Sequence, residues 1–552
     1  MLLDTAKSPE FWEKVRTSED YTPLRERLLA LYEADSGPIP ACKYSEFILF
    51  SVTGSRKEYE SSYFHRRRAM NTAAILSMLY PDNAEYFTRL CDCLWAVLDE
   101  YVWVLPAHMP TFTAVKVDHI DLFGAETGFA LSEIDAILAD RLPPLLRDRI
   151  RYEVDKRIIQ PYLNNRYSWE RDSHNWAAVC LGSVFGAFLY QRPDLIAQIR
   201  PRVEETMRIF LSGYTEDGVC LEGIGYWEYG FGFFTVFADL ARDFTGGEWD
   251  YFKLPKVRAV AQFNQKVFID GRTTISFSDS GARGSYPLGI VHYLKNEYPD
   301  DVVIPPFAYS HMQDNCGRWC GFLRSFLWFN PAFVSEENKR ESHTEYSPSA
   351  GWLTKVTETY GFAAKGGTNG EPHNHNDLGS FIVSVGEKQI LRDLGSGTYC
   401  KDYFRGKRYE NLCASSRGHS VPIVNGQYQK AGGDRTAPTT YENGVFTAEL
   451  SKGYDIPELQ KLARSFGFDG NTVTLTDEWE GAVTVTERFV TGEEPQITAD
   501  GIKVGPLTLR APFAPTVNTP APEDDTRPGK VYFIDFPCPA DMRKFTLEIT
   551  VQ

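Results

Sequence analysis

The sequence predicts a multidomain α + β protein, with an all-helical domain over residues 1–345 and an antiparallel β domain over residues 346–552. Three observations carry this reading. A chain of 552 residues is too long for one ordinary hydrophobic core. Apolar residues recur at helical spacing through roughly the first 340 positions, and near residue 350 the period changes to strand alternation. A run of helices followed by a run of strands segregates into separate all-α and all-β domains.

The elements follow in order. In Phe87–Leu98, apolar residues fall at Phe87, Leu90, Cys91, Leu94 and Leu98, the spacing of a one-sided helix. Trp176–Tyr190 is apolar and small almost throughout (Ala177, Ala178, Gly182, Gly186, Ala187), which suits a helix packed on most sides, and Phe231–Leu240 repeats that character. Successive apolar helices with short Gly, Pro and Asp loops suggest layered helical hairpins, either a toroid or a solenoid. Beyond residue 350, Phe381–Val385 and Gln389–Leu391 flank Gly386-Glu387-Lys388 as a hairpin. Val445–Leu450, Thr472–Thr476, Val483–Phe489 and Phe545–Thr550 alternate as half-buried strands, while Thr516–Lys530, rich in Pro, Asp and Thr, reads as a loop.

Composition narrows the function classes. With 43% hydrophobic and 24% charged residues the chain is of the folded soluble type. A net charge of −16 argues against a nucleic-acid partner, and it obliges any site for a polyanion to carry local positive charge. Candidates are Arg66-Arg67-Arg68, Arg166, Arg171, Arg405, Lys407 and Arg408; a solvated surface side chain is the competing reading for each. The aromatic share of 14% fits helical cores first and a sugar-lined cleft second. No apolar run reaches membrane-spanning length, so no membrane partner is expected. Met1–Ser8 has no charged leader followed by an apolar stretch, and the ten cysteines form no paired framework. A reduced, cytoplasmic protein is the expectation; removal of a leader would make it periplasmic or secreted.

Three clusters carry candidate chemistry. The densest is Glu371-Pro-His373-Asn-His375-Asn-Asp377. If extended, it puts His373 and His375 on one face; if a turn, it makes them diverge. Asp393 and His419 downstream can complete a metal shell, and two imidazoles with a carboxylate suit zinc. The alternative is a polar turn whose histidines bond only to backbone. His174-Asn175-Trp176 opens the apolar helix, where Asn175 is either a functional amide or a simple cap. Asp217-Gly-Val-Cys-Leu-Glu222-Gly-Ile-Gly-Tyr226-Trp-Glu-Tyr229-Gly is either a packing corner or a rigid rim presenting tyrosines.

Together, His373-Asn-His375-Asn-Asp-Leu-Gly-Ser, Asp393-Leu-Gly-Ser-Gly-Thr-Tyr399 and Arg417-Gly-His419-Ser, ending in Val424-Asn-Gly-Gln-Tyr-Gln429, resemble the signature of the heparinase II/III-like polysaccharide lyases. The upstream Asn175-Trp176 step and the Asp217–Tyr229 segment resemble that superfamily's helical domain in the same order, so the likeness spans roughly residues 160–430. The resemblance implies an N-terminal (α/α) toroid followed by a C-terminal antiparallel β-sandwich. It implies cleavage of uronate-containing glycans by β-elimination to an unsaturated uronate, glycosaminoglycan type favoured; the lack of a leader at Met1–Ser8 suggests exo-action on imported oligosaccharides. Asn175, with His174, would hydrogen-bond the substrate carboxylate. Tyr229, or alternatively Tyr226, would protonate the leaving oxygen and also serve as base, provided cations lower the phenol's ordinary pKa of about 10. His373 would be the base when the C5 proton lies on the other face. Arg405, Arg408, Trp176 and Glu222 are the expected substrate contacts, with Tyr403 near the two arginines. His375, Asp393 and His419 match the superfamily's metal positions, implying a structural zinc that holds the histidine loop. Trp103 and His108 are read as core or capping residues.

The expected partner is an acidic oligosaccharide or polysaccharide, and a homo-oligomer is compatible. Alternatives are an alginate-type oligosaccharide lyase, a glycoside hydrolase using Glu222 with Asp217 or Glu371 with Asp377 as its carboxyl pair, and an inactive carbohydrate-binding protein.

Overall fold

The computed structural model describes residues 2–112, 117–335, 341–398, 403, 406–524 and 529–552. The chain divides into two compact units. One comprises Met1–Gly213, Trp227–Arg258 and Tyr286–Glu336; the other comprises Tyr214–Tyr226, Ala259–Ser285 and Glu337–Gln552.

The first unit is built from helices. Asn175–Gln191 is buried at nearly every position through Phe188, as its unbroken apolar sequence requires. Its glycines let neighbours close in. A Cβ at Gly182 would lie 3.3 Å from the Phe233 carbonyl oxygen on helix Gly232–Phe244, and one at Gly186 would overlap the Phe129 ring on helix Leu122–Ile137. Helix Leu122–Ile137 is capped by Asp121, whose Oδ1 accepts from the Gly124 N–H at 2.7 Å. Glu133, near its end, is buried and accepts from Arg324, Trp319 Nε1 (2.8 Å) and the Tyr190 hydroxyl (2.8 Å). Truncating Arg324 would strand that carboxylate, at a cost of about 3–5 kcal/mol. No helix among the described residues is long and apolar enough to cross a membrane.

The second unit is a two-sheet antiparallel sandwich. Among the described residues, one sheet has nine strands, with Gln389–Leu391, Phe381–Ser384, Gly361–Lys365, Trp352–Val356 and His343–Ser347 as consecutive neighbours at one end. The other has eight and centres on Leu459–Asp469, Thr472–Gly481 and Lys544–Val551. Inward residues of both sheets, Leu353, Phe362, Phe381 and Leu391 from one and Phe446, Phe466, Leu475 and Leu547 from the other, form a single core. The predicted hairpin is present: Gly386 and Glu387 both take left-handed φ (61° and 62°), the requirement of a tight two-residue turn. Arg464, fully buried, pairs with Asp477 and Glu487 and donates to the carbonyls of Gly379 (3.0 Å) and Ser420 (2.6 Å), tethering two loops that matter below.

Three expectations change. The division at 345/346 falls inside strand His343–Ser347. More importantly, Tyr214–Tyr226 and Ala259–Ser285 leave the helical unit for the sandwich unit. Polar side chains bond them to the sandwich strands and loops: Asp217 accepts from Ser349 N–H (2.9 Å), Asp270 accepts from Glu387 N–H (2.9 Å), and Gln389 of the sandwich donates to the Thr274 carbonyl (2.9 Å). Phe268–Asp270 and Thr273–Thr274 even pair as a small hairpin within the stretch read as helical. Third, Thr516–Asn518, read as loop, pairs along the sheet edge with Tyr532–Pro537, where a short strand between turns gives little alternation to detect.

Candidate active site

In the helical unit, Asn175 is the first residue of its helix, with His174 at the capping position and no side-chain cap bond. The simple-cap reading of Asn175 therefore fails, and its buried amide is not committed to helix initiation. Tyr229 sits in a π-helical turn, Trp227–Phe231, that precedes Gly232–Phe244. Such wide turns commonly mark functional positions. Gly230 brings this turn onto Asn175: a Cβ there would lie 3.2 Å from both Cα and Cβ of Asn175. The turn that carries Tyr229 thus packs on the start of the Asn175 helix through Gly230.

Two residues absent from the sequence reading surround the phenol. The Tyr229 hydroxyl donates to Glu126 Oε1 at 2.5 Å, and the Arg318 guanidinium lies 3.7 Å from the ring centroid, with its Nε 3.5 Å from Glu126 Oε2. Burial and the Glu126 carboxylate push the Tyr229 phenol well above its usual value, despite Arg318. The expected cation-lowered tyrosine is thus corrected: the phenol is held protonated, suited to be an acid rather than a base. Burial also raises Glu126. His174 is half-buried and lies 3.4 Å from Asp172. Trp176 packs edge-on against His108, 4.9 Å between centroids, while His108 is held by Asp121 at 2.8 Å and Trp103 is buried.

The boundary between the two units falls between Tyr226 and Trp227, so the two candidate tyrosines belong to different units. In the sandwich unit, Tyr226 stacks at 32° on His373, 4.4 Å between centroids, with its hydroxyl 3.4 Å from Nδ1. The His373 segment is a turn, and His373 itself has φ of 53°, a left-handed value costly for a residue with a Cβ. Arg408 secures that backbone by donating to the carbonyls of His373 (2.7 Å) and Asn374 (3.0 Å). Arg408 thus reaches the histidine loop as expected, whereas Arg405 lies outside the described residues. The other arginine candidates are employed elsewhere or exposed: Arg66 and Arg67 face Glu100, Arg68 faces Asp35, Arg166 faces Glu170, and Arg171 and Lys407 are exposed.

The centre of this cluster is a residue the sequence did not flag. Asp279 is buried, with Oδ2 2.7 Å from His373 Nδ1 and Oδ1 3.0 Å from His375 Nε2; Oδ1 also accepts from Arg408 (3.0 Å) and the Tyr403 hydroxyl. Burial opposes its ionisation, yet the two histidine hydrogen bonds and Arg408 hold its carboxyl far below the usual range. Close approach at the next residue explains the convergence. A Cβ at Gly223 (φ 93°) would lie 2.6 Å from Ser280, and one at Gly395 (φ 63°) would collide with the Ser280 carbonyl. The Glu222 and Asp393 segments therefore close on the Asp279 loop only as glycine neighbours. Glu222, its pKa raised by burial, has Oε2 3.4 Å from His373 Nε2.

His375, Asp393 and His419 are fully buried, and one donor atom from each lies within 4.8 Å of the others. His375 Nδ1 is buried with no hydrogen-bond partner, and burial lowers this imidazole's pKa, favouring the neutral form a metal needs. His419 has Nε2 2.8 Å from the Cys413 carbonyl and Nδ1 2.9 Å from Asp393 Oδ2. The donor set and its supporting hydrogen bonds fit a zinc ion.

The carboxyl pairs proposed for hydrolysis are spent. Asp377 is fully buried against Lys365 Nζ (2.8 Å), with Glu371 on the same ammonium at 3.6 Å, and Asp217 is bonded to Ser349.

Comparison with known proteins agrees with this architecture. No curated protein matches the chain in sequence. Among solved structures, heparinase III is similar with a TM-score of 0.61 and 14% identity over 90% of this chain and 78% of that one. A mutant of the heparan sulfate lyase HepC from Pedobacter heparinus gives 0.58 and 12% over 98% and 90%. The Streptomyces coelicolor A3 chondroitin AC lyase, in complex with chondroitin sulphate, gives 0.55 and 11% over 100% and 82%. These likenesses concern the fold, an α/α toroid domain followed by antiparallel β-sheets, as the sequence predicted. Residues 342–528 match the family Heparinase II/III-like, C-terminal.

Proposed function

We propose that this chain is a polysaccharide lyase that cleaves uronate-containing glycans by β-elimination, with glycosaminoglycan oligosaccharides as the favoured substrate class and exo-action as the mode. The observation that carries this reading is a buried Asn175 amide, uncommitted to capping, against the turn that holds the protonated Tyr229 phenol. A uronate C5 proton is weakly acidic because the adjacent carboxylate resists becoming a dianionic enolate. An amide such as Asn175 that hydrogen-bonds the carboxylate stabilises the developing charge, an effect worth about 3 kcal/mol for one such donor. Taken unit by unit, Tyr229 is assigned the proton for the departing O4 as the C4–O4 bond breaks, and His373 is assigned as the base for the C5 proton, whose electron pair forms the C4–C5 double bond. Tyr226 and Arg408 hold His373, and Trp176, Glu222 and His174 are assigned to substrate contact. Arg318, the cation against the Tyr229 ring, also pairs with Asp314 and faces Glu126.

A zinc ion on His375, Asp393 and His419 would supply a fixed charge that cross-links their loops. The heparinase II/III-like domain and the heparinase III and chondroitin lyase likenesses support the same reaction class. The test is a screen of heparan, chondroitin, hyaluronan and alginate oligosaccharides for an ultraviolet-absorbing unsaturated product. Alginate cleavage would move the substrate class; a saturated product would end the lyase proposal.

A further inference from the structure

We infer that Asp279 is a positioning residue that sets the tautomers of His373 and His375 together, so that one carboxylate presents both a basic nitrogen and a metal-donor nitrogen. The basic role of His373 rests on the function proposed above; the tautomers do not.

Four donors meet this carboxylate: His373 Nδ1 at 2.7 Å, His375 Nε2 at 3.0 Å, Arg408 Nη2 at 3.0 Å and the Tyr403 hydroxyl. A carboxylate facing a guanidinium and a phenol is an acceptor at both oxygens, so each imidazole nitrogen turned towards it carries the proton. A neutral imidazole has one N–H. His373 is therefore the Nδ1–H tautomer and keeps its lone pair on Nε2, the atom 3.4 Å from Glu222. His375 is the Nε2–H tautomer and keeps its lone pair on Nδ1, the buried atom that lacks a hydrogen-bond partner and is thereby this residue's donor to a metal shared with Asp393 and His419. The left-handed backbone of His373, pinned by Arg408, is what turns two histidines only two residues apart onto opposite oxygens of one carboxylate. An amide in place of Asp279 would offer one acceptor and one donor, and would force the wrong tautomer on one ring.

Nitrogen-15 spectra of histidine-labelled, zinc-loaded protein, with lines assigned through His373→Gln and His375→Gln, read this directly. The expected result is Nδ1–H at His373 and Nε2–H at His375. In Asp279→Asn, zinc affinity falls about 10–100-fold. Where the amide nitrogen meets His373 instead, that tautomer changes, and kcat drops while KM moves little. A wild-type His373 in the Nε2–H form overturns the inference, as does an Asp279→Asn protein that keeps both zinc affinity and the His373 tautomer. Should that variant fail to fold, the wild-type spectrum still decides. Correct tautomers without lyase activity on any glycan would remove the proposed reaction and leave the positioning role standing.

Discussion

Tyr229 in the helical unit and His373 in the sandwich unit each rest on a buried carboxylate, and the two carboxylates are driven in opposite directions. Glu126 meets one phenol and a guanidinium at the edge of hydrogen-bond range, and burial raises it. Asp279 meets two imidazoles, a guanidinium and a phenol at bonding distance, and is lowered despite the same burial. Desolvation is common to both; the number of well-aligned donors decides the outcome. One carboxylate helps keep a phenol protonated, while the other stays ionised and orders the rings around it. In the proposed roles, an acid and a base are thus tuned by the same residue chemistry with different company.

The largest expected effect removes the acid side of this contrast. Tyr229→Phe should lower turnover about 10²–10⁴-fold with substrate binding retained. Product absorbance against substrate concentration measures it, and unchanged turnover would transfer the role to Tyr226. Combining Tyr229→Phe with His373→Ala sharpens the point. If both serve one turnover, the double variant loses scarcely more than the worse single variant; multiplicative losses would mean separate functions. Asn175→Ala should cost about 10²–10³-fold in kcat with its fold unchanged, and a pure KM effect would contradict charge stabilisation.

His419→Ala should lose bound zinc and lower the Tm by several degrees, since metal binding stabilises only the folded chain. Metal analysis and calorimetry check this, and wild-type protein purified metal-free without chelators would remove the zinc assignment.

Glu126→Gln tests the opposed shifts through stability. Because its folded pKa lies above the ordinary 4.5, native protein binds that proton more tightly than unfolded chain. Stability therefore falls as pH rises from about 4.5 through the raised value. The glutamine variant should lose this slope and gain on wild type towards neutral pH in urea midpoints. Parallel curves would refute the raised Glu126. Smallest is Gly230→Ala, whose new Cβ would press on Asn175 at 3.2 Å. A few-fold loss of kcat with a nearly unchanged Tm is expected, and no loss would show that Asn175 can yield.

Much of this was legible from residue order. The histidine cluster, Asn175 and the two tyrosines stand out because rare or polar residues interrupt apolar periods, and the candidate metal set His375, Asp393 and His419 followed from the family resemblance. Glu126, Asp279 and Arg318 were not legible. Each is an ordinary charged residue within an unremarkable stretch, and each becomes significant only through a partner about 90–105 positions away. The assignment of Tyr226 and Tyr229 to different units was equally hidden, because no local signal marks where a continuous run of turns changes cores.

Hydrophobic period and turn chemistry act over a few residues, so the sequence by itself determined the succession of helices and strands, the hairpin at Gly386 and the residue types available for catalysis. Which carboxylate meets which ring, whether a buried acid is raised or lowered, and where Asp279 and Gly230 stand were decided by the tertiary structure alone. Those properties depend on desolvation and on distances of about 3 Å between residues remote in the chain, and no local pattern encodes them.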